Sequence, residues 1–316
     1  MSSQAPAMTD TDSRPWHVRF LDIDIVYNFC HSPVAVGAGL LTLVIVLSAA
    51  CAPFIAPHSP FDLTTFSLID AEIPPAWMED GDARFLVGTD AQGRDLLSLI
   101  LYGSRISLVV GFLSILFAMA LGVTVGLISG FVGGTLDAVL MRVADVQLSF
   151  PAILIALLVD GLARAFLPDE VREASAIYVL IFAIGISKWV IFARTVRGSA
   201  MIEKNKEYVQ AARIIGRKSW FIMAFHVLPN CLGPILVIAT INLALAVLTE
   251  ATLSFLGVGL PPTSPSLGTL IRIGNEYLFS GLWWITIFPG AALVLLVLSV
   301  NLLGDWLRDA LNPKLR

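Results

Sequence analysis

Six mostly apolar stretches of about 20 residues, each long enough to cross the hydrocarbon of a bilayer, dominate this sequence. They run over Val34–Ala52, Ile106–Phe131, Val146–Phe166, Ser175–Ala193, Cys231–Gly257 and Leu282–Leu303. The expected fold class is therefore all-α, a polytopic membrane protein with six transmembrane helices. Residues 1–33 are polar and acidic, and the first apolar stretch outlasts a signal-peptide core, so it reads as an uncleaved anchor behind a tail.

Composition closes the other routes. Hydrophobic residues make up 57% and charged residues 14%, with a mean hydropathy of +0.82. A soluble domain averages roughly 45–50% apolar and about 25% charged. Disorder, a secreted disulfide scaffold and an ordinary cytosolic enzyme are excluded. The net charge of −4 gives no basic excess for nucleic acid. Cys30, Cys51 and Cys231 form no CxxC pair and are odd in number, which suits small apolar fillers.

Lys and Arg orient the spans. With the N-terminus inside, basic residues favour the inner segments about two to one, and they concentrate between Arg194 and Asn230. Both termini are then cytoplasmic. The first loop, Phe54 to Arg105, lies outside and is acidic. Loops this long are usually functional, although a solvated cap is the plainer alternative.

Within the spans, Ala118, Gly122, Gly126, Gly130 and Gly134 recur every fourth residue, a spacing that lets helix backbones approach closely. Asp160, Lys188 and Glu250 are the ionisable residues in or near the hydrocarbon. Such groups line a pathway, or sit at an interface, or pair with a neighbouring Ser, Thr or Arg; Glu250 is the candidate for lining. Three scattered charges make a poor proton relay. P-loop, HExxH, GxSxG and paired Cys/His zinc patterns are absent from the sequence, and no active site or metal site is expected.

The basic segment has its own pattern. Tyr208, Ala211, Ala212 and Ile215 recur at helical spacing, giving an apolar or small face. Gly216 suits a left-handed helix end, a second amphipathic piece follows from Trp220, and Pro229 suits the first turn of the fifth span. Such a helix fits a groove in a partner protein or rests on anionic lipid.

These residues also carry a resemblance. Ala211-Ala212, three residues, Gly216, nine residues, then His226-Val227-Leu228-Pro229 resembles the EAA loop of ABC importer permeases, E-A-A-x3-G-x9-I-x-L-P. Gln210 stands at the Glu position and His226 at the Ile position, with Glu207 one turn earlier. Gly88-Thr89-Asp90-Ala91-Gln92-Gly93-Arg94-Asp95, followed by Tyr102-Gly103-Ser104-Arg105-Ile106-Ser107-Leu108, is similar to the GTDxxGRD…YGxRxSL signature of the C-type subunit of dipeptide, oligopeptide and nickel permeases. Asp145 to Pro151 resembles its DVxLxFP, and Glu250 to Gly259 with Pro261-Pro262 and Ser266-Leu267-Gly268 resembles its EAxLSFLGLG…PP…WG.

The resemblance implies a type I ABC importer permease fold and three regions: a tail, 1–33; an N-terminal span and extracytoplasmic loop, 34–105; and a permease core, 106–316, with the coupling loop at 201–230. It implies a non-catalytic subunit that imports peptides or peptide-like solutes across the bacterial inner membrane, with nickel, glutathione and opines also within the family's range. The implied partners are a homologous second permease, two cytoplasmic ATPases that hold ATP and Mg, an extracytoplasmic solute-binding protein and membrane lipid. Glu207, Gln210, Ala211, Ala212, Gly216 and Pro229 would couple to an ATPase. Gly88, Thr89, Asp90, Gly93, Arg94, Asp95 and Arg105 would form the outer signature, with Asp90 or Asp95 pairing Arg94 or Arg105. A stand-alone channel or secondary carrier is the alternative, and it needs no docking helix.

Overall fold

The computed structural model describes residues 24–61, 67–261 and 263–310. Most of the expected tail, with Arg14 and Arg19, and the terminal Lys314 and Arg316 lie outside the described residues. Helices are α1 (Asp24–His31), α2 (Pro33–Ala50), α3 (Ala52–Ile55), α4 (Leu96–Val132), α5 (Gly134–Leu148), α6 (Ala152–Phe166), α7 (Asp169–Glu203), α8 (Glu207–Ile214), α9 (Ser219–Ile222), α10 (Leu228–Phe255), α11 (Leu267–Tyr277) and α12 (Trp284–Ala310). Among the described residues there is no strand, only an isolated Thr89–Asp95 bridge.

Five helices are long and apolar enough to span a membrane, and the α5–α6 pair, bent by 90°, makes a sixth. α4 has 37 residues and α7 has 35, or about 55 Å and 52 Å at 1.5 Å per residue. Both exceed the roughly 30 Å hydrocarbon, so their ends project beyond it.

Three spans depart from expectation and one helix is new, each for a local reason. The expected second span, Ile106–Phe131, is the interior of α4, which begins at Leu96 because Asp95 caps it. The boundary expected after residue 105 therefore falls inside a continuous helix. The expected third span, Val146–Phe166, is broken: Pro151 lacks an N–H and biases Phe150 out of the helical region, so α5 stops at Leu148. The expected fourth span, Ser175–Ala193, continues to Glu203, which makes Arg194 and Arg197 helical residues rather than loop. Finally, α11 was not anticipated. Ser266 caps it, its side chain accepting from Thr269 N, and its short apolar face is wedged between α10 and α12.

The glycine row holds α4 against α7. A Cβ on Gly122 would lie 2.4 Å from Trp189 O, one on Gly126 2.3 Å from Ala193 O, and one on Gly130 2.6 Å from Arg197 O. These three positions let the two backbones touch. Gly134, the last of the row, meets nothing and opens α5. Around the seam, Val110, Ile115, Ile184, Val190, Phe192 and Val196 form the core with Ile235 and Leu253 of α10. Leu40, Leu43, Val44 and Leu47 of α2 stay exposed, as a lipid-facing helix requires.

Candidate functional site

Two clusters of charged and polar residues cap opposite ends of the bundle, and a third is enclosed between them. The first is the turn that starts α4. Thr89 and Asp95 face each other across it, Asp90 N donates to Arg94 O at 3.0 Å, and Gly93 N donates to Asp90 O at 3.0 Å. Gly93 holds φ +77, and a Cβ there would meet Ser67 O at 2.1 Å, so the turn admits only glycine.

The Asp90 carboxylate accepts from Gln92 N, from Arg94 N and from the Arg94 Nε, and pairs with the guanidinium at 2.7 Å with both side chains buried. Asp95 accepts from Ser98 N at 3.0 Å and from its hydroxyl, satisfying orphan donors of the first helical turn. Thr89 ties the turn outward: its hydroxyl donates to Asp70 O at 2.7 Å and accepts from Ile73 N, while its carbonyl accepts from Trp284 of α12. Nearby, Arg84 bridges Asp82 and Asp70, and its hydrogen bond draws the Asp82 carboxyl below its ordinary range. Of the pairings expected here, Asp90 takes Arg94. Arg105 joins neither aspartate, because it lies ten residues beyond Asp95, further along α4.

The second cluster is at the other end. Asp137 of α5 receives a bidentate contact from Arg197 of α7, at 2.6 and 2.7 Å, and a hydroxyl from Ser129 of α4. Lys204 Nζ donates to Gly130 O at 2.8 Å, satisfying a carbonyl at the end of α4. Asp145, in the Asp145–Pro151 motif, pairs with Arg194, and Gln147 Oε1 accepts from Trp189 at 2.6 Å.

On this base sits α8. Val209 and Ala212 are buried beneath it, and the Arg213 guanidinium lies over the Phe131 ring of α4 at 5.1 Å. Ile214 and Ile215 project outward at 87% and 77% exposure. The face expected to hold Tyr208, Ala211, Ala212 and Ile215 together is thus split: Ala212 packs inward, Ala211 and Ile215 are exposed, and Tyr208 keeps an exposed ring while its hydroxyl turns to the protein. Glu207 and Gln210 are exposed, and Gln210 Nε2 reaches only Lys204 O, at 3.4 Å.

Gly216 ends α8 at φ +79 with Arg217 N donating to Ala212 O, a Schellman closure. The Tyr208 hydroxyl bonds Glu203 of α7 and accepts from Asn230 of α10 at 3.2 Å. Burial, then the Glu203 contact, pushes the phenol up to about 12. Exposed Pro229 stands in the first turn of α10, after a π-helical turn at Met223–Val227 that carries His226.

The third cluster surrounds Glu250 in α10, which has no exposed surface. Ser107 of α4 donates to it at 2.7 Å and Ser254 at 2.8 Å, with a further hydrogen bond to Ser266. Leu267 N, at the start of α11, donates to Ser107 Oγ at 3.4 Å. This is an enclosed carboxylate facing a helix N-terminus, not one that opens onto a lumen of this chain. Ser107 and Ser266 were missed in the sequence as its partners because they lie on separate elements, whereas Ser254 sits one turn along the same helix. Asp160 pairs with Arg164 at 2.5 Å, four residues along α6. Lys188 is partly buried on α7. Among the described residues, no three His, Cys, Asp or Glu side chains come together as metal ligands.

Comparison with known proteins adds the following. Residues 122–316 match the family described as binding-protein-dependent transport system inner membrane component. Residues 23–75 match the N-terminal TM domain of oligopeptide transport permease C. The chain is 37% identical over 289 residues to the di/tripeptide transport system permease protein DppC of Pseudomonas aeruginosa, covering 92% of this chain and 91% of that one. It is 39% identical to the dipeptide transport system permease protein DppC of Escherichia coli, over 88% of each chain. It is 33% identical to the glutathione transport system permease protein GsiD of Pectobacterium atrosepticum, over 100% and 97%. In fold it is similar to a chain of the MetNI methionine ABC transporter in inward-facing conformations, with TM-score 0.53 at 20% identity, over 69% of this chain and 98% of that one.

Proposed function

This chain belongs to the binding-protein-dependent transport system inner membrane components, and from that premise we propose that it forms half of the translocation pathway of an ATP-driven importer for peptides or peptide-like solutes. The single observation that carries the mechanism is α8: a short helix that touches the ends of α4, α7 and α10 through Arg213 and Tyr208, with two isoleucines turned away from the protein. Large exposed apolar side chains on an extramembrane helix call for a partner groove.

In this reading the groove belongs to a cytoplasmic ATPase, which alone binds ATP and Mg, and the termini are cytoplasmic. Ala211 and Ile215 make the contact, flanked by Glu207 and Gln210. Ala212, Gly216 and Pro229 set the helix's pose. ATP-driven closure of the ATPases displaces α8, and the contacts from Arg213 and Tyr208 carry that displacement into α4, α7 and α10. A coupling of this kind requires contacts that differ between two states. The turn from Gly88 to Asp95 caps the pathway on the outside and meets a solute-binding protein there, and Glu250 braces α4, α10 and α11 around the pathway. A second, homologous permease completes it.

The test is site-directed cross-linking in membranes containing the partner subunits. A cysteine replacing Ala211 or Ile215 is expected to cross-link to an ATPase, and one replacing Ala212 is not. Labelling of the Ile215 cysteine only by reagents added outside the cell would overturn the orientation and the docking surface together. The chain purified alone is expected to hydrolyse no ATP, and uptake of a labelled dipeptide by the reconstituted set tests the substrate class.

A further inference from the structure

Arg105 is the one signature residue that neither end cluster absorbs. It is exposed on α4 and makes no hydrogen bond or ion pair among the described residues. Asp90 and Asp95, the nearby carboxylates in sequence, are buried within the turn, on Arg94 and on Ser98, and neither reaches Arg105. An exposed cation with no protein counter-ion at the edge of the membrane is placed to meet an anionic headgroup.

Its depth follows from α4. Arg105 lies about 14 Å along the helix from Leu96. A helix of about 55 Å centred on roughly 30 Å of hydrocarbon leaves about 12 Å beyond each edge. Arg105 therefore stands at the boundary between acyl chains and headgroups, on the side of the Gly88–Asp95 turn.

Beside it is a cleft of about 470 Å³ walled by Val46, Ala49 and Ala50 of α2, by Leu108, Val109, Phe112 and Leu113 of α4, and by Leu243 of α10. The volume is within the roughly 300–1,000 Å³ usual for small-molecule sites. Every wall residue but Arg105 is apolar. A site with one cation at its rim and hydrocarbon below has the shape of an amphiphile with one anionic head. The planar guanidinium matches two phosphate oxygens. No carboxylate lines the cleft to receive the ammonium of a zwitterionic head.

We propose that this cleft binds one anionic phospholipid, its acyl chain between α2, α4 and α10 and its phosphate on Arg105. The lipid fills the gap beside the contacts that α2 makes with α4 and α12. The proposal needs only that the chain spans a membrane; it stands or falls apart from the transport reading.

The test uses the full chain in mixed micelles with equal phosphatidylglycerol and phosphatidylcholine, and native mass spectrometry of the lipid retained. Wild type is expected to prefer phosphatidylglycerol about fivefold. Arg105→Gln is expected to fall to parity and Arg105→Lys to keep part of the preference. Val109→Trp changes an exposed position in the cleft wall; it is expected to lose the bound lipid with the arginine intact. Thermal unfolding should show wild type stabilised by added phosphatidylglycerol and Arg105→Gln not. Equal retention by wild type and Arg105→Gln, or full retention by Val109→Trp, would overturn the proposal. So would loss of the preference when the chain is purified with a second permease, which would assign the cleft to that subunit.

Discussion

Replacing Gly126 with alanine should force α4 and α7 apart. The new Cβ would lie 2.3 Å from Ala193 O and 3.0 Å from both Ala193 Cα and C. Comfortable separations begin near 3.5 Å, so the helices must open by about 1 Å at that point. All three atoms are backbone, and no rotamer change relieves them. Overpacking of this kind costs about 1–3 kcal/mol, and the gain in helix propensity from Gly to Ala offsets up to about 1 kcal/mol. The wedge also loosens the contacts of Gly122 and Gly130, one turn away on either side, so a net loss of about 1–2 kcal/mol is expected. Gly198→Ala, on α7 itself, is the control. A Cβ there meets nothing within 4 Å, and the same substitution should leave stability unchanged or raise it by up to about 1 kcal/mol. Reversible unfolding of the purified full chain in mixed micelles reads both. A Gly126→Ala midpoint equal to wild type, or a Gly198→Ala loss as large, would refute the close-approach argument.

Other perturbations test the two ends. Asp90→Asn leaves the buried Arg94 without its carboxylate, a loss of about 3–5 kcal/mol in comparable pairs; the loop before α4 should become protease-sensitive from the outside, and unchanged protection would count against the turn. Gly216→Val puts a branched residue at φ +79, costing about 1–2 kcal/mol locally; the protein should insert while ATP hydrolysis by its partners no longer drives uptake, and normal uptake would remove α8 from the coupling. Tyr208→Phe deletes the hydroxyl shared by Glu203 and Asn230 and should lower solute moved per ATP without lowering the amount of protein inserted. Because the Tyr208 phenol is raised in the folded state to about 12 from 10.0, its contribution is fully present below pH 10 and is lost as pH rises from there through 12. Ultraviolet titration should show Tyr208 ionising above the exposed tyrosines, and ionisation near 10 would contradict the contact.

The elements that could be read from residues alone were those with a local signal. Gly93 and Gly216 announce turns with positive φ, and the four-residue glycine row announces the α4 seam, whereas the helix start at Asp95 went unread because polar residues between Leu96 and Arg105 interrupt the apolar run. What stayed hidden depends on partners far along the chain. The spans are apolar on every side, so periodicity does not say which face is inward; only the glycines did. In α8, Ala211 and Ala212 are equally small, and which one joins the buried core is decided by elements far along the chain. Glu250 could be flagged as costly in hydrocarbon, but its enclosure depends on serines from α4 and α11. The break at Pro151 went unread because the apolar run on both sides of it reads as one span, and its angle is set by how α6 packs on α7. As for α11, a single amphipathic stretch of 11 residues is too short to stand out beside 27-residue spans.

The continuity of α4 has a mechanical consequence. One end carries the Asp90–Arg94 turn and the other receives Lys204 and Arg213, with no proline or break between them. A rod of about 55 Å pivoting at its middle moves each tip by about 0.5 Å per degree, in opposite directions. A tilt of five degrees therefore swings one tip inward and the other outward by more than 2 Å, enough to make or break a hydrogen bond at both faces at once. Opening on one side and closing on the other is then a single motion of one lever, and its two ends need no separate signal.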